Sequence, residues 1–206
     1  MRLLVVGSTG RTGKHVLEQG LRWGHEITAF TRRPRELAGF GGLERVVHGD
    51  GLDLDDVREA VQGQDAVIFA GGGSGVVRNL ITAMNEAGVR RLVVTSSRSI
   101  VATRPRLVLA LVWSIFRESY AELARSEGML EASGLEWSIA RATMLDDKPF
   151  TGEVHTDFEA NATGGDWKLS RADYAMALLD VVEDPRMIRK AVGIGGAKPA
   201  RKRSAA

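Results

Sequence analysis

Gly7, Gly10 and Gly13 stand three residues apart in VVGSTGRTGKHV, between a β-branched run and an amphipathic stretch. That order reads as strand, turn and helix, the context in which spaced glycines bind anions. Without side chains the chain turns tightly, its amides meet a pyrophosphate at close range, and the helix packs closely on the sheet. The positive end of the helix dipole then faces the phosphates. A dinucleotide is the expected ligand, with an ordinary strand-to-helix turn as the alternative.

Three further features agree with a dinucleotide. The second strand ends AFTRRPR, where an NAD site would place Asp or Glu to accept from the 2′-hydroxyl of the adenine ribose. Arg32 and Arg33, with Arg11 in the glycine turn and Arg35 beyond, instead offer planar donors suited to a 2′-phosphate. The expected cofactor is therefore NADP(H); a solvated basic loop before Pro34 is the other reading, and it leaves the missing acid unexplained. In HGDGLD (48–53) Asp50 is placed to accept from the adenine amino group and Leu52 to pack on the ring, while Asp50 could equally cap the next helix. The cluster AGGGSG (70–75), with Gly71 and Gly72, lets backbone approach the bridging phosphates and the nicotinamide ribose.

The elements that hold these residues follow from periodicity. Apolar, β-rich runs recur at 2–6, 26–30, 44–48, 65–70, 91–95 and 136–140. Between them, Gly13, Val16, Leu17, Gly20 and Leu21 share one helical face, as do Leu54, Val57, Ala60 and Val61, and Val77, Leu80, Ile81, Met84 and Gly88. Asp53 is placed to cap the second of these helices and Gly88 to end the third. SRAD (170–173) is a capping box opening a helix with Tyr174, Leu178 and Val181. Strands alternating with helices and apolar on both faces imply α/β architecture: a single doubly wound, Rossmann-type parallel sheet with helices on both faces. After residue 141 the pattern loosens into an insertion over 146–166 near the C-terminal edge of the sheet, where a substrate pocket is expected.

Composition narrows the rest. The 206 residues, 44% hydrophobic, suit one domain over 1–196, followed by a basic tail, 197–206, expected to be disordered. The net charge of +2 owes its sign to Lys198, Arg201, Lys202 and Arg203; without them 24 basic residues face 26 acidic ones. No specific nucleic-acid partner is expected of such a body. The absence of cysteine excludes disulfides, thiolate metal sites and a cysteine nucleophile. His15, His25, His48 and His155 lack metal-ligand spacing, so no metal is expected. No leader or membrane-spanning run is read, and a cytoplasmic location is expected.

With those residues in place, the chain resembles the atypical short-chain dehydrogenase group of NAD(P)H-binding proteins. The likeness is to its flavin reductase/biliverdin-IXβ reductase-like branch, with NmrA-like regulators as relatives. It covers residues 1–195 through GSTGRTG, TRRP, VVHGD, VQGQDAVIFAGG, GVRRLVVTSS, LEASGLEWSIARATML and LSRADYAMALL. The resemblance implies cofactor contacts at Gly7, Thr9, Gly10, Arg11, Thr12, Gly13, Arg32, Asp50 and Leu52. It also implies contacts at Ala70, Gly71, Gly72, Thr95, Ser96 and the backbone near Ala142 and Thr143. Two departures stand out. Many relatives read VRP where this chain has ARA at 140–142, and the usual Tyr with Lys four residues on is here Tyr120 with Ala124.

In carbonyl reductases of this group that lysine lowers the tyrosine's pKa so that the phenol can donate its proton. Tyr120 alone is a poor acid near neutral pH and, at helical spacing with Leu123 and Ala124, reads as a half-buried core residue. Ser96 and Ser97 could polarise a substrate oxygen or hydrogen-bond the nicotinamide ribose; Ser96 is the catalytic candidate. A site without an obvious proton donor suits oxidised flavins, tetrapyrroles or quinones, which take hydride at a conjugated centre and a proton from water. RPRLVLALVWSIF (104–116) then forms a wall over a planar acceptor, with Trp113 and Phe116 stacking; a core helix or a dimer contact is the other reading. The expected function is an NADPH-dependent reductase of a flavin or similar small acceptor. The alternative is a catalytically silent NADP(H)-binding redox sensor.

Overall fold

The computed structural model of the protein describes residues 1–104, 106–158 and 165–197. The six apolar runs form β1 (Arg2–Val6), β2 (Glu26–Thr31), β3 (Arg45–His48), β4 (Ala66–Phe69), β5 (Arg91–Ser97) and β6 (Glu136–Ala142). The helical stripes form α1 (Arg11–Arg22), α2 (Leu54–Val61), α3 (Ser74–Ala87), α4 (Arg106–Ala132) and α5 (Arg171–Glu183). These strands run parallel in the order β3-β2-β1-β4-β5-β6, the doubly wound arrangement expected. The order reverses between β1 and β4, and a crevice opens at such a switch point beyond the strands' C-terminal ends.

Alternation sets the two cores. Leu3 and Val5 of β1 pack with Val16 and Leu17 of α1 and with Tyr174 and Leu178 of α5. Leu4 and Val6 pack with Val57 of α2, Leu80 of α3 and Leu130 of α4. Because both faces are covered, the strands read as continuous apolar runs. Asp53 accepts from the amides of Asp55 (2.9 Å) and Asp56 (3.4 Å), and Gly88 ends α3 in the left-handed conformation, both as predicted.

Arg91, at the start of β5, is buried and serves as a C-terminal cap for α5. Its guanidinium donates to the carbonyls of Val181 and Val182, to the Glu136 carbonyl at 2.7 Å and to Ser138 Oγ at 2.8 Å. Burial pushes its pKa down to about 10, so it stays charged at neutral pH and complements the negative end of the helix.

The C-terminal part departs from the sequence reading. A seventh parallel strand, β10 (Lys190–Gly196), pairs with β6, and β8 (Val154–Asp157) pairs antiparallel with it at the sheet edge. Part of the loose insertion is thus built into the sheet. Its glycines hide β10 in the sequence, and close approach requires one of them: a Cβ on Gly196 would lie 2.2 Å from the Lys168 carbonyl oxygen. Two short strands, β7 (Met144–Asp146) and β9 (Lys168–Ser170), pair separately. The expected tail from Lys198 onward lies outside the described residues. Among those residues no helix is long and apolar enough to cross a membrane.

Candidate functional site

The turn between β1 and α1 is shaped by what its glycines lack. Gly7 has φ 82, and a Cβ there would meet the Ala70 carbonyl oxygen at 2.8 Å. A Cβ on Gly13 would lie 2.2 Å from the Gly7 carbonyl oxygen, so any side chain would push α1 off the strand. The loop is fixed from below: Ser8 Oγ donates to the Phe30 carbonyl at 2.9 Å, and the Thr9 and Thr31 hydroxyls lie 3.0 Å apart. No side chain caps α1 at Gly10 and no acid sits in its first turn, which leaves the positive helix end open to an anion.

A cleft of about 390 Å³ opens above this turn. Of the predicted residues it brings together Gly7, Thr9, Gly10, Arg32, Arg33, Asp50, Leu52, Ala70 and Gly72. Arg33 is held at the rim: its amide donates to Thr31 Oγ1 (3.0 Å), Nη2 to Thr9 Oγ1 (3.3 Å), and Nη1 pairs with Glu36 (2.7 Å). Arg32 Nη1 lies 3.8 Å from Asp50 Oδ2, and both side chains are open to solvent. Asp50 does not cap α2, since Asp53 does; its Oδ1 accepts from the Leu52 amide at 3.0 Å, which leaves Leu52 standing 66% exposed over the cleft.

Gly72 and Gly73 lead from this cleft into a second chamber of about 560 Å³, lined also by Gly71, Thr95, Ser96, Glu118, Ser119, Glu122 and Leu123. Thr95 Oγ1 donates to the carbonyls of Gly71 (2.9 Å) and Phe69 (3.2 Å) and so fixes the glycine segment after β4. Ser96 Oγ donates to Glu127 Oε1 at 2.7 Å. Glu122 accepts from Ser74 N (2.8 Å) and Oγ (2.6 Å) at the start of α3, and pairs with Arg125. Those bonds, the Ser74 hydroxyl first, hold its carboxyl below the usual range, so it is ionised at neutral pH.

Other predicted residues lie elsewhere. Arg11 lines neither cavity: it pairs with Asp147, which Arg171 also reaches at 2.7 Å. Thr12 and Gly13 belong to the body of α1. Thr143 donates its amide to the Ile194 carbonyl at 3.0 Å, and its buried hydroxyl has no partner among the described residues. Trp113 and Phe116 line neither cavity. Trp113 Nε1 donates to the Ser99 carbonyl at 3.0 Å, and both rings pack on Tyr120, which is half-buried there as expected but stands apart from the two cores. Sequence reasoning missed Glu118, Ser119, Glu122, Leu123 and Glu127. Their only signal was the spacing of Glu118 and Glu122, which puts both on one helical face.

A crevice of this kind, at the reversal of strand order and floored by bare glycines, defines a nicotinamide-dinucleotide-binding protein with an oxidoreductase fold. The chain belongs to the NAD(P)H-binding family, which it matches over residues 7–185. A 3-beta-hydroxysteroid dehydrogenase from Mycolicibacterium neoaurum is 35% identical over 121 residues, 48% of this chain and 33% of that enzyme. The chain therefore spans about a third of that relative's length. A short-chain dehydrogenase/reductase from Veillonella parvula DSM 2008, solved in complex with NADP, superposes with a TM-score of 0.83 at 19% identity, covering 97% of this chain and 95% of that one. ChuY, an anaerobillin reductase from Escherichia coli O157:H7, gives 0.83 at 22% identity, covering 97% and 100%. At these identities the two structures share the fold.

Proposed function

We propose that the protein is an NADPH-dependent oxidoreductase that reduces a flavin or another planar conjugated acceptor. The observation that carries this reading is the chamber beside the glycine cleft: among the described residues no tyrosine, lysine or histidine lines it. An acceptor reduced there has no tyrosine, lysine or histidine to take its proton from, which suits conjugated acceptors, since they can collect one from water.

The residues fit a dinucleotide. The floor of Gly7 and Gly10 and the uncapped end of α1 suit a pyrophosphate, while Arg32 and Arg33 at the rim suit a 2′-phosphate that NAD lacks. Leu52 offers an apolar face for adenine. When bound, the nicotinamide supplies a hydride equivalent. The chain's own part is to position: Thr95 holds the glycine segment between cleft and chamber, and Ser96 stands in the chamber lining with its hydroxyl held by Glu127. The neighbour solved with NADP and the anaerobillin reductase share this fold, which supports the same reading.

The test is NADPH consumption, followed at the nicotinamide absorbance band, with riboflavin, FMN and neutral quinones. Turnover above the free-solution rate is expected. Tight NADPH binding with no turnover on any acceptor would overturn the reductase reading in favour of a redox sensor.

A further inference from the structure

The acceptor chamber has a one-sided electrostatic character. Glu118 and Glu122, one helical turn apart on α4, line it together, and no arginine, lysine or histidine does so among the described residues. Glu122 is fixed through both its contacts to Ser74. Arg125 offsets part of its charge from outside the lining, whereas Glu118 has no ion pair among the described residues. Ser96, also in the lining, is more than nine-tenths buried and its hydrogen is committed to Glu127, so it offers an anion no donor there.

We infer that the chamber selects its acceptor by charge, taking neutral or cationic planar molecules and disfavouring those that carry phosphate or carboxylate. The inference rests on the reductase reading and narrows its substrate class. Two carboxylates lining one side of an open pocket give it a negative potential, and like charge brought beside Glu118 loses affinity. Riboflavin and FMN test this directly, because they share the isoalloxazine ring and the sugar chain and differ by one phosphate.

The experiment is a fluorescence titration of each flavin with the full chain saturated by NADP+, which cannot reduce them. Riboflavin is expected to bind tighter than FMN by on the order of tenfold at low salt. The gap should narrow as salt is added and in Glu118→Gln. Equal or tighter binding of FMN, a gap indifferent to both salt and Glu118→Gln, or no binding of either flavin would overturn the inference. Failure of the underlying reductase reading looks different: riboflavin binds with the expected preference, yet neither flavin drives NADPH consumption.

Discussion

The hydroxyl of Ser96 donates to Oε1 of Glu127 across 2.7 Å, and both side chains are shut away from solvent. Arg141 reaches the same carboxylate through Nε at 3.1 Å and Nη2 at 2.7 Å. One buried carboxylate thus ties β5, α4 and β6 together beside the second chamber. The single hydrogen Ser96 could give to a substrate is already committed.

Ser96 should therefore act as a contact and not as an acid. Ser96→Ala is expected to weaken nucleotide or acceptor binding several-fold, with kcat and its pH profile little changed. A loss of kcat on the order of 10²–10⁴ at unchanged KM would instead mark proton transfer. Glu127→Ala leaves the part-buried Arg141 without its partner and should cost on the order of 3 kcal/mol, the low end for a buried pair, read from the denaturant midpoint. Glu127→Gln, which keeps the shape, should cost less.

The arginines at the cleft rim predict nucleotide choice. NADPH should bind the wild type more tightly than NADH. Arg33→Ala should remove one charge-assisted contact, about 1.5–3 kcal/mol, or roughly a ten- to hundredfold loss for NADPH with NADH little affected. Calorimetry with both nucleotides checks this, and equal affinities in the wild type would discard the 2′-phosphate role of Arg32 and Arg33.

Local signals made the cofactor half of the site legible. The glycine turn, the paired arginines and HGDGLD each sit at the end of one strand, so a few consecutive residues suffice to place them. The second chamber is assembled from α4 against loops dozens of residues earlier, and only the one-turn spacing of Glu118 and Glu122 pointed to it. Trp113 and Phe116 misled for a related reason. Helix α4 departs from helical geometry at Phe116, φ −111 and ψ 21, with no glycine or proline there to signal it, and the two rings pack on Tyr120. The capping box was half legible. Ser170 accepts from the Asp173 amide as predicted, but the Asp173 carboxylate turns to a segment that no local pattern connects to it.

That carboxylate is buried and accepts from Thr151 N (2.8 Å), Thr151 Oγ1 (2.9 Å), Gly152 N (2.9 Å) and Ser170 Oγ (2.7 Å). It fastens the segment after β7 onto the start of α5. Asp173→Ala should release that segment at a cost of about 2–4 kcal/mol. Limited proteolysis should then cut between 147 and 158 in the variant, at protease levels that leave the wild type whole.

His25 gives the fold a pH dependence of definite sign. Its ring is almost fully buried, 3.2 Å from Glu183 Oε1. Burial lowers its pKa below the ordinary histidine value, and Glu183 only partly offsets this. The folded state thus binds this proton less readily than the unfolded chain does. The stabilising contribution is whole above pH about 6.5, the unfolded value, and is lost as pH falls from there through the folded pKa. Each unit of depression corresponds to about 1.4 kcal/mol lost across that window. His25→Phe keeps a ring in the same pocket and removes the titration. Denaturant unfolding at pH 7.5 and at successively lower pH should show the wild type losing more stability than the variant. Parallel pH curves for the two proteins would mean that His25 is protonated in the fold as readily as in the open chain, with Glu183 fully balancing burial.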